Sequence, residues 1–391
     1  MADNLPYLSI APHLKSLRFC GFYQLGFESS RKKRILHTVF MRIILFLVLL
    51  YTFQQMMKVY KDRDDLNKVI DTMFLMLTNS DCIYKAIVFL IRAEKIEELV
   101  NILSGPLFNQ KKPEHREYLL EAIRQAKVLL RGFNIAAVFT CLLWALYPVI
   151  LYVQRKPVEF AIWLPFDANL CPQFYFAIFY VWVQTSWLAF SNTSMDAFAT
   201  SFLVQSKAQL SILRLDLEHV VEKSKEEAVE TSGDFRCILE RRLKIILLHY
   251  NEIIKFTMLT QEIFGGAVMY LFTISGWIMC TTAYRLVSMK PMSVEFASMV
   301  MYMFCILVEV FMYCYYGNEV TYESEKLMES AYALDWLVIP IKYRRALILF
   351  MERIKRNVNL VAGNLIPISN STFVSVVRSS YTFYAFLKNS N

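Results

Sequence analysis

The sequence predicts an all-α membrane protein built on seven transmembrane helices, and three observations predict it. Apolar residues make up 56% of the 391 and charged residues only 19%, where soluble domains average about 45–50% and about 25%. Seven stretches reach or approach the ~20 mainly apolar residues that cross a ~30 Å hydrocarbon layer. Lysine and arginine are sorted unevenly between alternate connecting segments. The 30 Phe and 22 Tyr are too many for a soluble core of this size to hide easily, and 10 Gly with 11 Pro exclude disordered and collagen-like chains.

The predicted spans cover residues 38–57, 69–91, 133–153, 174–198, 264–284, 296–316 and 368–387, within a single transmembrane domain over 1–391. The first begins near Thr38, too deep for a cleavable signal. Asp71, Asp81 and Lys85 interrupt the second, and Ser and Thr weaken the hydropathy of the seventh. Segments 1–37, 92–132, 199–263 and 317–367 carry 30 of the Lys and Arg residues. Segments 58–68, 154–173, 285–295 and 388–391 carry nine. Positive charge stays on the cytoplasmic side, so the N-terminus is expected inside and the C-terminus outside, the reverse of a G-protein-coupled receptor. The net charge of +8 is thus a topological signal and calls for no nucleic-acid partner.

The long cytoplasmic segments read as helical extensions of the spans. Leu203, Leu210, Leu213 and Leu217 recur at helical spacing within 203–227, and 236–263 forms a second such stretch. Gly233, in Thr231-Ser232-Gly233-Asp234, marks the turn between them. Residues 324–356 look similar, broken at Pro340. These extensions are either an assembly layer or solvated helices. The five histidines, His13, His37, His115, His219 and His249, all fall in cytoplasmic segments and are expected to be solvated or capping. The eight cysteines form no CxxC pair and no metal-ligand spacing. Only Cys171 falls in a clear outer loop, so no disulfide is expected. The sequons at Asn192 and Asn370 lie in or on the inner side of the membrane and are expected to go unused.

No Ser/His/Asp arrangement, phosphate loop or metal constellation is visible, so neither an enzyme nor a cofactor is expected. Asp81 and Lys85 are four apart and can pair on one helix face, or Asp81 can face a cavity. Glu309 and Arg378 have no local partner, and each must face protein interior or water, since a charge in lipid costs at least a few kcal/mol. In the seventh span Ser371, Ser375, Arg378 and Thr382 fall on one helix face, with Phe373, Val377 and Tyr384 opposite. Such a stripe is either a wetted pore face or a small-residue packing seam. Near its outer end Ala385 and Phe386 can form an apolar constriction that gates by dewetting. One helix encloses no channel, so a pore demands oligomerisation. The outer halves of the other spans are aromatic and sulfur-rich: Met73, Phe74 and Leu77; Thr140, Trp144 and Tyr147; Tyr175, Phe179, Tyr180 and Val183; Met299, Tyr302, Met303 and Phe304. They either pack and meet lipid or line an apolar pocket for a small neutral molecule.

The C-terminal third resembles the insect odorant receptor family. Ala331-Tyr332 with Trp336 looks like that family's Ala-Tyr-x-x-x-Trp element, and Pro340 and Arg344-Arg345 follow. Ile366-Pro367-Ile368-Ser369, Thr372-Phe373, Ser380-Tyr381-Thr382-Phe383 and Leu387 complete the resemblance. Length, seven spans and inverted topology agree over the whole chain, and the first two thirds match in pattern only. The resemblance implies an odorant-gated, poorly selective cation channel in the plasma membrane of a sensory neuron dendrite. It implies assembly as a heterotetramer with an obligate co-receptor, a pore lined by the last helix, and a volatile, largely apolar ligand bound between outer helix halves. This chain looks like a tuning subunit, because it lacks the co-receptor's larger insertion before the fifth span. Trp144 with Thr140 and Ala137 resembles the family's pocket pattern, and Phe386 or a neighbour its gate. A gustatory receptor, a G-protein-coupled-type chemoreceptor and a small-molecule transporter are the alternatives. Against them stand the reversed Tyr381-Thr382 without a following Gln-Phe, the charge bias, and the absence of clear repeat symmetry.

Overall fold

The computed structural model describes residues 4–23, 30–166, 168, 170, 172–291 and 293–390, with side chains at all of these except 66, 67, 288 and 387–390. Cys171 lies outside the described residues. The elements in chain order are α1 (Leu5–Cys20), α2 (Arg31–Lys61), α3 (Leu66–Ile91), α4 (Ala93–Leu103), a 3-10 turn at Pro113–His115, α5 (Arg116–Val153), α6 (Gln173–Glu218), α7 (Val220–Thr231), α8 (Phe235–Ser288), α9 (Val294–Tyr332), α10 (Ile341–Ile354), β1 (Val361–Ala362), β2 (Ile366–Pro367) and α11 (Asn370–Ser390). Helices α2, α3, α5, α6, α8, α9 and α11 run through the seven predicted stretches, α11 starting two residues late. Among the described residues, α2, α3, α5, α8 and α9 are long and apolar enough to cross a membrane. The chain is an all-α membrane protein.

Several helices far exceed a bilayer. The 54 residues of α8 extend about 80 Å at 1.5 Å per residue, and the 46 of α6 about 70 Å. Helix starts are locally specified. Asn4 Oδ1 accepts from the Tyr7 amide, Ser30 Oγ from Lys33, Asp234 Oδ1 from Arg236 and Ser293 Oγ from Phe296, satisfying amides that have no partner within the helix. Ser232, at φ 51°, and Gly233 make the turn before α8. The break between α9 and α10 spans 333–340, ending on Pro340.

The extensions pack on one another. From Ser191 to Leu217, every α6 side chain except Thr193, Lys207, Arg214 and Leu215 is buried, as in a helix enclosed on all sides. Helices α1, α5, α8 and α9 surround it. This layer contains three of the five histidines, which corrects the expectation that they are solvated or capping. His13 bonds the Ala126 carbonyl at 3.1 Å, His249 bonds Gln209 Oε1 at 2.9 Å, and His115 bonds Asp216 Oδ1 at 2.9 Å. Burial lowers His13 to a pKa of about 4 and His249 to about 3. Burial alone would raise Asp216, but His115 and Lys112 outweigh it and hold that carboxyl below its usual value.

A short hairpin joins this layer to α11. Val361 pairs with Pro367 and Ala362 with Ile366, and Gly363 and Asn364 turn with φ of 55° and 59°. The Gly363 amide donates to the Gly265 carbonyl of α8 (2.9 Å) and the Val361 amide to Gln261 Oε1 (2.8 Å). Gly317 of α9 completes the joint, because a Cβ there would lie 2.6 Å from the Ile368 carbonyl oxygen. The hairpin thus sets where α11 begins, with α11 packed on α8 and α9.

Two predictions follow from these contacts. Gly317→Ala drives a methyl into backbone and is expected to cost about 1–3 kcal/mol, read as a lower thermal midpoint of detergent-purified protein. His13 and His249 are neutral when folded, so the unfolded chain binds more protons below the ordinary histidine value of 6.5. Stability is therefore intact above about pH 6.5 and falls as pH drops towards 4. The thermal midpoint is expected to fall between pH 7.5 and 5, with a shallower slope in the His13→Gln/His249→Gln variant.

Candidate ligand-binding site

Between α3, α5, α6 and α9 lies a cavity of two chambers. The mouth chamber, about 170 Å³, is walled by Phe74, Trp144, Tyr147, Trp182 and Met299, and its rim carries Asp71, Glu159, Arg285 and Glu295. The deep chamber, about 80 Å³, is walled by Leu75, Ala137, Thr140, Trp144, Tyr302 and Ile306 and floored by Asn192 and Glu309. Leu75, Cys141, Trp144 and Thr185 line both, so the two adjoin. A dry apolar cavity of roughly 150 Å³ accepts a molecule the size of benzene, and the mouth chamber is of that order.

An aromatic septum divides them. The Phe74 and Trp144 rings each stand 5.4 Å from Tyr302, and 6.3 Å from each other, all tilted or edge-on, the arrangement that ring quadrupoles favour. The Tyr302 hydroxyl is 2.5 Å from Thr78 Oγ1, which anchors the ring. At the rim Arg285 bonds Asp71 (2.8 Å) and Glu295 (3.1 Å) and its guanidinium lies over the Phe74 ring at 5.8 Å. That clasp joins α3, α8 and α9 at the entrance.

Beneath the deep chamber lies a buried ion cluster. Lys85 Nζ contacts Asp81 at 2.5 Å, Asp196 at 2.7 Å and Glu309 at 2.8 Å, and donates to Asn192 Oδ1 at 3.1 Å. Asn192 Nδ2 donates to Glu309 (3.3 Å) and the Tyr313 hydroxyl to Asp196 (2.9 Å). The Asp81–Lys85 pair expected from the sequence is therefore part of a larger network. Glu309 faces protein interior, and its partner is the same lysine. Asn192, the first sequon, is enclosed here.

A model of the family described as "7tm Odorant receptor" matches residues 65–381 of this chain. The chain belongs to the odorant receptor family. Odorant receptor 46a, isoform A, of Drosophila melanogaster is 23% identical over 376 residues, 95% of this chain and 96% of its own length. Odorant receptor Or1 of Anopheles gambiae is 22% identical over 350 residues, covering 84% and 83%. Odorant receptor 94a of Drosophila melanogaster is 26% identical over 242 residues, and this chain spans 60% of its length. The fold is that of the insect olfactory receptor OR5 from Machilis hrabei, with a TM-score of 0.82, 17% identity and 98% of each chain covered. The structure of that protein in complex with eugenol gives 0.83, at 18% identity and the same coverage.

In this odorant receptor the cavity unites Phe74, Ala137, Thr140, Trp144, Tyr147, Met299 and Tyr302 from the residues singled out in the sequence. Leu77 and Met303 pack beside it, half-buried. Met73 is half-buried and outside the lining. Tyr180 turns to Gln54, its hydroxyl donating at 2.7 Å, while Tyr175, Phe179 and Val183 are exposed on the outer surface of α6. Sequence reasoning missed Asn79, Thr185, Asn192 and Glu309 as lining residues. Glu309 was visible as an unpartnered charge; the others are ordinary polar residues until the helices meet. On α11, Ser371, Ser375, Arg378, Thr382 and Phe386 are all exposed. On the opposite face Phe373 packs against Phe311 of α9 (5.4 Å), and the half-exposed Phe383 flanks the stripe, stacked on Trp277 of α8 (5.2 Å).

Lys85→Met leaves three buried carboxylates without their cation and is expected to cost about 3–5 kcal/mol, seen as loss of mature protein at the cell surface. Asp71→Asn at the wetted rim should cost under about 1 kcal/mol and leave surface levels near those of the unmodified chain.

Proposed function

We propose that this receptor is the ligand-binding, tuning subunit of an odorant-gated, poorly selective cation channel. It works in the plasma membrane as a heterotetramer with an obligate co-receptor. The chain crosses the membrane seven times with its N-terminus cytoplasmic, and the extensions of α5, α6, α8 and α9 form the cytoplasmic assembly layer. A small, mainly apolar odorant occupies the cavity, and the exposed polar face of α11 lines the pore, with Phe386 at the constriction.

The observation that carries this reading is the double contact of α9. Tyr302, Ile306 and Glu309 line the cavity on one side of that helix, and Phe311, two residues further on, packs against Phe373 of α11. Helix α8 makes a parallel link, with Ile274 and Ile278 beside Phe74 and Trp277 stacked on Phe383. A ligand that prefers one arrangement of these helices shifts α11 with them; one with equal affinity for both states shifts nothing. The eugenol complex of the Machilis hrabei receptor supports a small aromatic guest in this fold.

Excised-patch recording from cells expressing the chain with and without the co-receptor, free of nucleotide, tests the proposal. Odorant-evoked cation current is expected only with both subunits. Silence across a broad volatile panel, with surface expression confirmed, would contradict it. Trp144→Ala removes a ring that lines both chambers. A buried aromatic contributes about 1.5–3 kcal/mol, so half-maximal odorant concentration should rise about tenfold or more at unchanged surface assembly. Phe386→Ala should raise the current without odorant or alter ion selectivity, and an unchanged pore would remove that residue from the gate.

A further inference from the structure

The polar groups of the deep chamber are unequally supplied with donors and acceptors. Five hydroxyls line it; Thr185 is paired with the Tyr51 hydroxyl (2.9 Å), and the protons of the other four are committed within the protein. Thr78 donates to the Phe74 carbonyl (3.0 Å), Thr140 to Ala136 (2.9 Å), Thr193 to Ala189 (3.0 Å), and Tyr302 to Thr78 Oγ1 (2.5 Å). The amide nitrogens of Asn79 and Asn192 each commit one of their two N–H groups, to Gln55 Oε1 (2.7 Å) and Glu309 Oε1 (3.3 Å). What remains open to a guest is mainly lone pairs: those of the hydroxyl oxygens and of the Glu309 carboxylate, whose cluster sets three carboxylates against one ammonium. Each carboxylate oxygen accepts more than one bond, and hydrogen bonds to a charged acceptor are the strong ones.

We infer that the deep chamber is a subsite for a hydrogen-bond-donating head group. The receptor is then tuned to small molecules with a hydroxyl or amine on an apolar body, and Glu309 is the acceptor that selects them. The body lies across the septum in the mouth chamber and the head points towards Asn192 and Glu309. A guest that only accepts, such as an ether, leaves its oxygen desolvated against other acceptors, and that mismatch discriminates more sharply than a change of size. This inference rests on the reading of the cavity as the odorant site.

The test uses isomer pairs that differ in donor capacity but not in atoms: 1-hexanol against methyl pentyl ether, 2-phenylethanol against benzyl methyl ether, and longer pairs of the same kind. Currents are recorded from cells co-expressing the full chain and the co-receptor. Alcohols are expected to be at least tenfold more potent than their isomers, and Glu309→Gln to bring that ratio below about threefold. Should Glu309→Gln fail to reach the surface, Thr140→Val decides, and it is expected to reduce the alcohol preference at least threefold. Equal potency of the isomers, or ethers preferred, overturns the inference while leaving the odorant site standing. No current from any pair, or potencies untouched by Trp144→Ala, overturns the odorant site itself and the inference with it.

Discussion

Three of the long helices meet at one ammonium group. Lys85 sits buried with Asp81, Asp196, Glu309 and Asn192 within 3.1 Å, drawn from α3, α6 and α9. Ions removed from water are costly, and the cost is offset only where the geometry between opposite charges is good. The consequence is positional. A slide or rotation of any of the three helices would strand a charge, so the network fixes their mutual register, and the cavity that these helices enclose with α5 inherits its shape from it.

That constraint gives the cavity an apolar upper part and a polar floor. Phe74, Trp144 and Tyr302 are held as a septum by their mutual packing and by the Thr78 bond, while the floor is the upper side of the ion cluster. Helix α9, which supplies Met299, Tyr302, Ile306 and Glu309 to this site, meets α11 at Phe311. Gly317 lets Ile368, just before α11, lie against α9, and the hairpin at 361–367 anchors the start of α11 to α8. A guest that changes the preferred packing of Tyr302 or Ile306 acts on a rigid rod, and the rod is already in contact with the exposed polar helix.

Much of this was legible in the chain. Long apolar runs located the long helices, Gly233 and Pro340 marked real breaks, and steps of four, three and four placed Ser371, Ser375, Arg378 and Thr382 on one exposed face. Part of the cavity lining was legible too, because aromatic and sulfur-containing side chains stand out in a membrane segment. Most of it was not. Thr185 and Asn192 look like unremarkable polar residues until α6 meets α3 and α9, since pairing across more than 100 residues leaves no local periodicity. Phe179 and Val183 look like pocket residues for the converse reason: hydropathy does not distinguish a face that meets lipid from one that meets a cavity. The buried histidines escaped notice because a polar residue in a charged segment reads as solvated, whereas here the segments pack on one another.

The most direct measurement of the proposed channel is cysteine accessibility along α11. Ser375→Cys and Thr372→Cys would be expressed with the co-receptor, and a charged, membrane-impermeant thiol reagent applied with and without an activating odorant. The account predicts that the reagent blocks current through Ser375→Cys, faster in the presence of odorant, and leaves Thr372→Cys, on the buried face, untouched. Block at residue 372 but not 375, or a rate at 375 indifferent to odorant, would contradict a pore on this face of α11 governed by the cavity.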